Sequence, residues 1–376
     1  MASCSWCRPR ASTRSSALEM SNRSSTSAMI EQPWRGFASD NYAGVHGAVL
    51  DAIGRANIDH QSAYGDDVVT ERAASMVKEL FGTHADFYPV FNGTGANVVA
   101  LQSLTERWQS VVCSASAHIH ADEGGAPEAV AGTKLWTVPT PDGKLRPPDV
   151  QGQCFDMDFV HRAQPGAVSI TQSSEMGTVY TPQEIAALAE VAHANGLAFH
   201  MDGARLSNAA ASLGIPVREF TTDAGVDAVS FGLTKNGAML AEAIVVLKPE
   251  RVRGIDFLRK TSMQLASKMR FLSAQFIGLL EDDLWLRSAA HANEMARHLE
   301  AGVRDLPEVQ ITQPVQANAV FAILPPEVTK ALQERFHFYT WDQGTGEVRW
   351  MCAWDTTPQD VDSFVAAIER EIAGRA

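Results

Sequence analysis

From Phe37 onward the chain alternates short runs rich in Val, Ile and Phe with segments of helical periodicity, and that alternation narrows the fold more than any other feature. The strand-like runs are Phe87–Phe91, Val111–Ser114, Leu135–Val138, Ala167–Thr171, Leu197–Met201, Ala228–Phe231 and Ala243–Leu247. The clearest helix begins at Thr181-Pro182-Gln183-Glu184, where Thr181 can cap, Pro182 suits the first helical position and Glu184 completes a capping box. Ile185, Leu188, Ala189 and Ala192 then share a face, and Gly196 ends the helix. Strands separated by helices predict an α/β fold: an open, mostly parallel seven-stranded sheet covered on both faces. Ligands in such sheets bind beyond the carboxyl ends of the strands.

A long helical stretch over residues 262–299 is expected next, followed by strand Ala319–Leu324, a helix from about Glu327, strand Val348–Met351 and a final helix after Pro358. These divide the chain into a tail (1–33), a large domain (34–280) and a smaller C-terminal α/β domain (281–376). The tail is serine-rich, carries Arg8, Arg10, Arg14 and Arg23 with the single acid Glu19, and has the composition of an organelle transit peptide or of sequence upstream of a start at Met20 or Met29. The Cys4-x-x-Cys7 pair falls there, outside any strand–helix pattern.

Composition removes several functions. A net charge of −13 does not suit a general nucleic-acid binder, which needs a basic face. No apolar run approaches the roughly eighteen residues of a membrane span. Five scattered cysteines do not make a disulfide framework, which fits a reducing cytoplasm.

Three strand ends carry chemistry. Phe91-Asn92-Gly93-Thr94-Gly95-Ala96-Asn97 links a strand to a helix and offers backbone N–H groups to one phosphate. Val98 stands where a dinucleotide fingerprint has its third glycine, and no Gly-Lys-Ser/Thr follows as in a Walker loop. His200-Met201-Asp202-Gly203-Ala204-Arg205 places an aspartate at a strand end, and Phe231-Gly232-Leu233-Thr234-Lys235-Asn236-Gly237 places a lysine at another. Singly these read as a turn, a helix cap and a solvated amine. Together, in that order on a parallel sheet, they supply what pyridoxal phosphate needs: a phosphate loop, a carboxylate for the pyridine nitrogen and a Schiff-base lysine.

With those segments the chain resembles the fold-type-I pyridoxal-phosphate enzymes, and within them the low-specificity L-threonine aldolases. The resemblance also covers Phe37-Ala38-Ser39-Asp40-Asn41-Tyr42, Ala63-Tyr64-Gly65-Asp66-Asp67, Ala117-His118 with Asp122 to Glu128, Ala266-Ser267-Lys268-Met269-Arg270, and Arg349-Trp350-Met351-Cys352-Ala353-Trp354-Asp355. It implies retro-aldol cleavage of L-threonine, L-allo-threonine and other β-hydroxy-α-amino acids to glycine and an aldehyde. It implies that Lys235 forms the Schiff base, that Asp202 bonds the pyridine nitrogen, that Gly93 and Thr94 hold the phosphate with Arg270 of a neighbouring subunit, and that His118 stacks on the ring. Ser39 and Arg349 are expected to grip the substrate carboxylate. Arg205 is expected beside that carboxylate or a cofactor oxygen, and Tyr64 enters across a subunit interface. A homodimer or homotetramer follows from the same resemblance.

The chain departs from the family at one point. Where many members have a second active-site histidine, Gln172-Ser173-Ser174-Glu175-Met176-Gly177 carries Glu175. His118 is the first candidate for the base that takes the β-hydroxyl proton, with Glu175 second. The same machinery could support β-elimination, racemisation or transamination. His118-x-His120-x-Asp122-Glu123 also resembles the His-x-His-x-Asp-His cluster of binuclear metallohydrolases, with Glu123 in place of the last histidine, but no other metal-ligand spacing accompanies it.

Overall fold

The computed structural model describes residues 35–374. The tail, with its Cys4-x-x-Cys7 pair, lies outside them. All seven expected strands form: β1 (Asp86–Val90), β2 (Gln109–Ser114), β3 (Lys134–Val138), β4 (Gln164–Thr171), β5 (Ala198–Gly203), β6 (Ala228–Gly232) and β7 (Glu242–Val246). They make one sheet in the order β1-β7-β6-β5-β4-β2-β3. Only β7 runs against its neighbours, pairing antiparallel with both β1 and β6. The parallel strands are buried nearly end to end, as a sheet covered on both faces requires.

Local signals hold where the sequence states them fully. The helix Pro182–Ala194 has the expected capping box, Thr181 and Glu184 each accepting the other's backbone N–H, and Gly196 follows at φ +74°. The long helix expected over 262–299 instead divides into Arg270–Leu280 and Leu284–Val303, after a turn with Met263 at φ +61°. The break lies at Asp282 and Asp283, both at positive φ. Aspartate enters the left-handed region more readily than most residues, and hydrophobic periodicity is blind to that change of backbone.

The C-terminal region carries two more strands than expected. β8 (Gln310–Ile311), β9 (Ala319–Ile323), β10 (Tyr339–Asp342) and β11 (Glu347–Met351) form an antiparallel sheet in the order β10-β11-β9-β8. β8 has only two residues and β10 is half exposed, so neither gives a hydrophobic alternation to read.

The two largest apolar clusters pack on these two sheets. Phe81, Phe199, Phe231, Phe276 and Trp285 pack against the large sheet. Trp350, Phe364, Phe338 and Phe37 pack against the small one. Phe37 comes from the other end of the chain: its ring stacks on Phe364 at 4.6 Å, and its carbonyl accepts from Met351 N–H at 2.8 Å. This anchor carries Ala38, Ser39 and Asp40 across the carboxyl edge of the large sheet.

Candidate active site

Beyond the carboxyl ends of β4, β5 and β6 lies a cavity of about 380 Å³. Gly93, Thr94, His118, Glu175, Asp202, Arg205 and Lys235 all line it. The three strand-end motifs therefore converge, because parallel strands end on one edge of the sheet.

At one end is the start of the helix Gly93–Leu104. Asn92 caps it, accepting from Gly95 N–H through Oδ1 at 2.7 Å and from Ala96 N–H through its carbonyl at 3.0 Å. Gly93 and Thr94 remain at the cavity wall. Gln264 covers the loop: its Oε1 accepts from Phe91 N–H at 3.0 Å, and its amide would lie 2.3 Å from a Cβ at Gly95.

In the middle, Asp202 is held from two sides. Its Oδ1 accepts from Ala204 N–H at 3.0 Å and its Oδ2 from Asn97 Nδ2 at 2.8 Å. The same Asn97 nitrogen donates to Glu123 Oε1 at 2.8 Å, and Glu123 Oε1 meets His118 Nδ1 at 2.9 Å. Hydrogen bonding to Glu123 raises the imidazole pKa above its ordinary value, against the opposing effect of burial. Of the candidate metal cluster, only His118 and Glu123 turn inward, while His120 and Asp122 are exposed.

Glu175 is buried behind His118. Its Oε1 accepts from His118 N–H at 2.7 Å and from the Thr171 hydroxyl at 2.8 Å, and its Oε2 has no partner. Burial, then the nearby Asp202, pushes its pKa up. Burial and the neighbouring Arg205 push the Lys235 amine down, the direction that favours a nucleophilic neutral amine.

Arg205 is committed within the protein. Its Nε and Nη2 bond the two oxygens of buried Asp40 at 2.7 and 3.0 Å, and Asn318 adds a third bond to Asp40 at 3.1 Å. The sequence pattern alone gives Asp40 no role. Its pKa is lowered because attraction and hydrogen bonding from Arg205 outweigh burial, the largest single influence, which opposes them. Arg349 donates to the Ala38 carbonyl at 3.3 Å and lies over Trp341 at 4.6 Å, while its buried Nε has no partner. Burial, then Arg205, brings its pKa down to about 10. Ser39 caps the short turn Asp40–Tyr42 beside that guanidinium.

Ser39 and Arg349 are not among the residues lining this cavity, and Tyr64 and Arg270 lie apart from it. Tyr64 is exposed, at φ +63°, with Lys260 over its ring and its N–H on the Ser267 carbonyl. Arg270 lines a separate pocket with residues 59–63, Ser267 and Lys268, and donates to the Asp59 carbonyl at 3.2 Å.

Asn97, Glu123 and Glu242 also line the cavity; the sequence offers Glu123 only as a member of the metal-like cluster and gives Asn97 and Glu242 no individual role. Glu242 had a readable signal: an acid opening a fully buried strand. His46, unassigned in the sequence, caps the helix Gly47–Ala56 through Nδ1.

The family model for the Beta-eliminating lyases matches residues 36–325. The low specificity L-threonine aldolase of a Pseudomonas species is 44% identical over 334 residues, covering 88% of this chain and 96% of that protein. Its counterpart in Pseudomonas aeruginosa is 44% identical over 322 residues, covering 85% and 93%. The Leishmania major threonine aldolase structure superposes with a TM-score of 0.84 at 31% identity, covering 90% of this chain and 99% of that one.

Proposed function

Since the chain belongs to the Beta-eliminating lyase family and, within it, to the low-specificity L-threonine aldolases, we propose that it cleaves L-threonine, L-allo-threonine and related β-hydroxy-α-amino acids to glycine and an aldehyde. Pyridoxal 5′-phosphate is the proposed cofactor. The observation that carries this reading is the convergence of Lys235, Asp202 and the Gly93–Thr94 helix start on one cavity.

The residues suit that group in chemistry as well as position. The helix start offers N–H donors to a phosphate. Asp202, fixed by Asn97 and Ala204, presents an acceptor for a protonated ring nitrogen. Lys235 is a buried amine with a depressed pKa. When bound, pyridoxal phosphate supplies an electron sink for the pair released at Cα.

The protein's own residues choose the bond. Arg349 is proposed to take the substrate carboxylate; its unpartnered buried Nε supports this, and the Ala38 and Trp341 contacts hold the guanidinium. Fixing the carboxylate would fix the torsion about Cα, and so which of its bonds is presented for cleavage. Cleavage of Cα–Cβ requires removal of the β-hydroxyl proton. His118 is the group for this: Nδ1 is engaged by Glu123, which leaves Nε2 to receive the proton. Glu123 is a positioning residue, acting through His118. Glu175, buried on the His118 backbone, is the second candidate.

Tyr64 and Arg270 are proposed to complete the site of a neighbouring copy, in a homodimer or homotetramer. Free Cys113, Cys154 and Cys352 fit a cytoplasmic location, and among the described residues no helix is long and apolar enough to cross a membrane.

The test is product identity. With L-threonine and added cofactor, equimolar acetaldehyde and glycine are expected. Production of 2-oxobutyrate and ammonia instead would move the activity to β-elimination on the same fold.

A further inference from the structure

Glu242 is the one buried carboxyl of the cavity with no part in the chemistry above. It opens β7 and pairs with Val90 at the end of β1 and with Gly232 at the end of β6. The chain leaving Val90 runs directly into the phosphate loop. The Glu242 carboxyl therefore lies under that loop, with Oε2 3.7 Å from where a Cβ on Gly93 would stand. It occupies space that a side chain at position 232 would take, since a Cβ there would lie 2.6 Å from Oε2. The Ala204 backbone crowds the same position, with its Cα 3.0 Å from that Cβ, so glycine suits it. Thr234, whose Oγ1 accepts from Ala241 N–H at 3.2 Å, lies beside it and favours its ionised form.

We propose that Glu242 is a cofactor-binding residue, whose carboxyl floors the phosphate end of the cavity, takes up a proton as the phosphate ester enters, and donates that proton as a hydrogen bond to a phosphate oxygen. The inference rests on the pyridoxal-phosphate reading. An ionised carboxylate beside a phosphate dianion in a buried site would oppose binding, whereas a neutral acid adds a donor to the N–H groups of the helix start. The groups facing Glu242 leave it poised for this. Lys235, after Leu233 and Thr234, favours its ionised form, and Asp202 at the end of β5 disfavours it. β1 brings Val90, its ladder partner, to it. Arg259, from the helix Ile255–Thr261, is directed to the Pro89 carbonyl and the Tyr88 ring. Burial dominates and raises the Glu242 pKa to about 7.

The probe is 4′-deoxypyridoxine 5′-phosphate, which has the ring and the phosphate but no aldehyde to join Lys235. Its binding is measured by calorimetry at pH 8 in buffers of different ionisation enthalpy, for the wild-type protein and for Glu242→Gln. Wild type should take up close to one more proton than the variant. Its affinity should also fall about tenfold more per pH unit above pH 7 than that of Glu242→Gln. Pyridoxine, without the phosphate, should show no such difference. Equal proton uptake by the two proteins would overturn the proposal. If Glu242→Gln does not fold, wild type alone decides: equal uptake with the phosphate ester and with pyridoxine overturns it. Failure of wild type to bind the ester at all removes the pyridoxal-phosphate reading together with the inference, whereas binding without the extra proton removes only the inference.

Discussion

The two ends of the large sheet both bury carboxylates, and they treat them differently. At the amino ends of the strands, Asp227 is wholly buried just before β6 and fully partnered. It meets His193 Nε2 at 3.1 Å, Lys248 Nζ at 3.4 Å and Arg251 Nε at 3.6 Å, and accepts from Phe199 N–H at 2.8 Å. At the carboxyl ends, Glu175 and Glu123 each keep a buried oxygen without a partner, and the Arg349 guanidinium keeps a free Nε. Buried polar groups are normally satisfied, and among the described residues the buried carboxylate oxygens left without a partner are those of Glu123 and Glu175, both of which line the cavity. Burial alone does not distinguish a structural charge from a functional one, and an unpartnered carboxylate oxygen at the cavity adds a second mark.

Substitutions can break that contrast. The largest effect is expected at Lys235, where Lys235→Ala should reduce threonine cleavage to the background of free cofactor while the fold, read by circular dichroism, persists. Full activity in that variant would move the chemistry to another amine.

His118→Ala should follow, with a loss of about 10²- to 10⁴-fold in kcat, and Glu175→Gln should lose less. The reverse order would make Glu175 the base. The basic form of His118 is required, so kcat/KM should rise with pH through the raised imidazole pKa. Glu123→Gln removes the main cause of that raised value and should shift the limb to lower pH. An unmoved limb would show that His118 is not the titrating group.

At the opposite end the signature should be stability without catalysis. Asp227→Ala orphans the buried Phe199 N–H and takes the shared carboxylate from the half-buried His193, Lys248 and Arg251, and should cost about 2–3 kcal/mol in denaturant unfolding, with activity per folded molecule retained. Loss of activity in the folded variant would erase the distinction between the two ends.

Glu242 should make cofactor-free protein pH-sensitive in the opposite sense to a paired carboxylate. Its folded pKa of about 7 lies above the ordinary 4.5, so between these values the folded state holds a proton that the unfolded state releases. Stability should therefore fall as pH rises through that window, and the cost should persist above it. Glu242→Gln is expected to raise Tm at pH 8 and to leave it nearly unchanged at pH 4.5. The smallest effect is expected for Gly232→Ala, about 1–3 kcal/mol from crowding against Glu242 and the Ala204 backbone.

Much of this was legible before the fold was known, for a physical reason. A parallel sheet ends its strands on one edge, so Gly93, Asp202 and Lys235, each at a strand end, had to meet. The helix caps were legible because a capping box is complete within four residues. What escaped depends on contacts between distant segments. Asp40 gains its role only when Phe37 anchors the N-terminal segment to the small sheet, and Asn97 only when Asp202 and Glu123 arrive on either side. The break at Asp282 and Asp283 escaped because apolar periodicity continues past it. Glu242 could have been found from sequence, as an acid heading an apolar strand.

The most direct test of where the chemistry sits is a covalent one. The protein is incubated with pyridoxal phosphate, reduced with borohydride, digested and mapped by mass spectrometry. A phosphopyridoxyl group on Lys235 is the predicted result. The group on a different lysine, or no stable adduct, would contradict the assignment of this cavity as the active site.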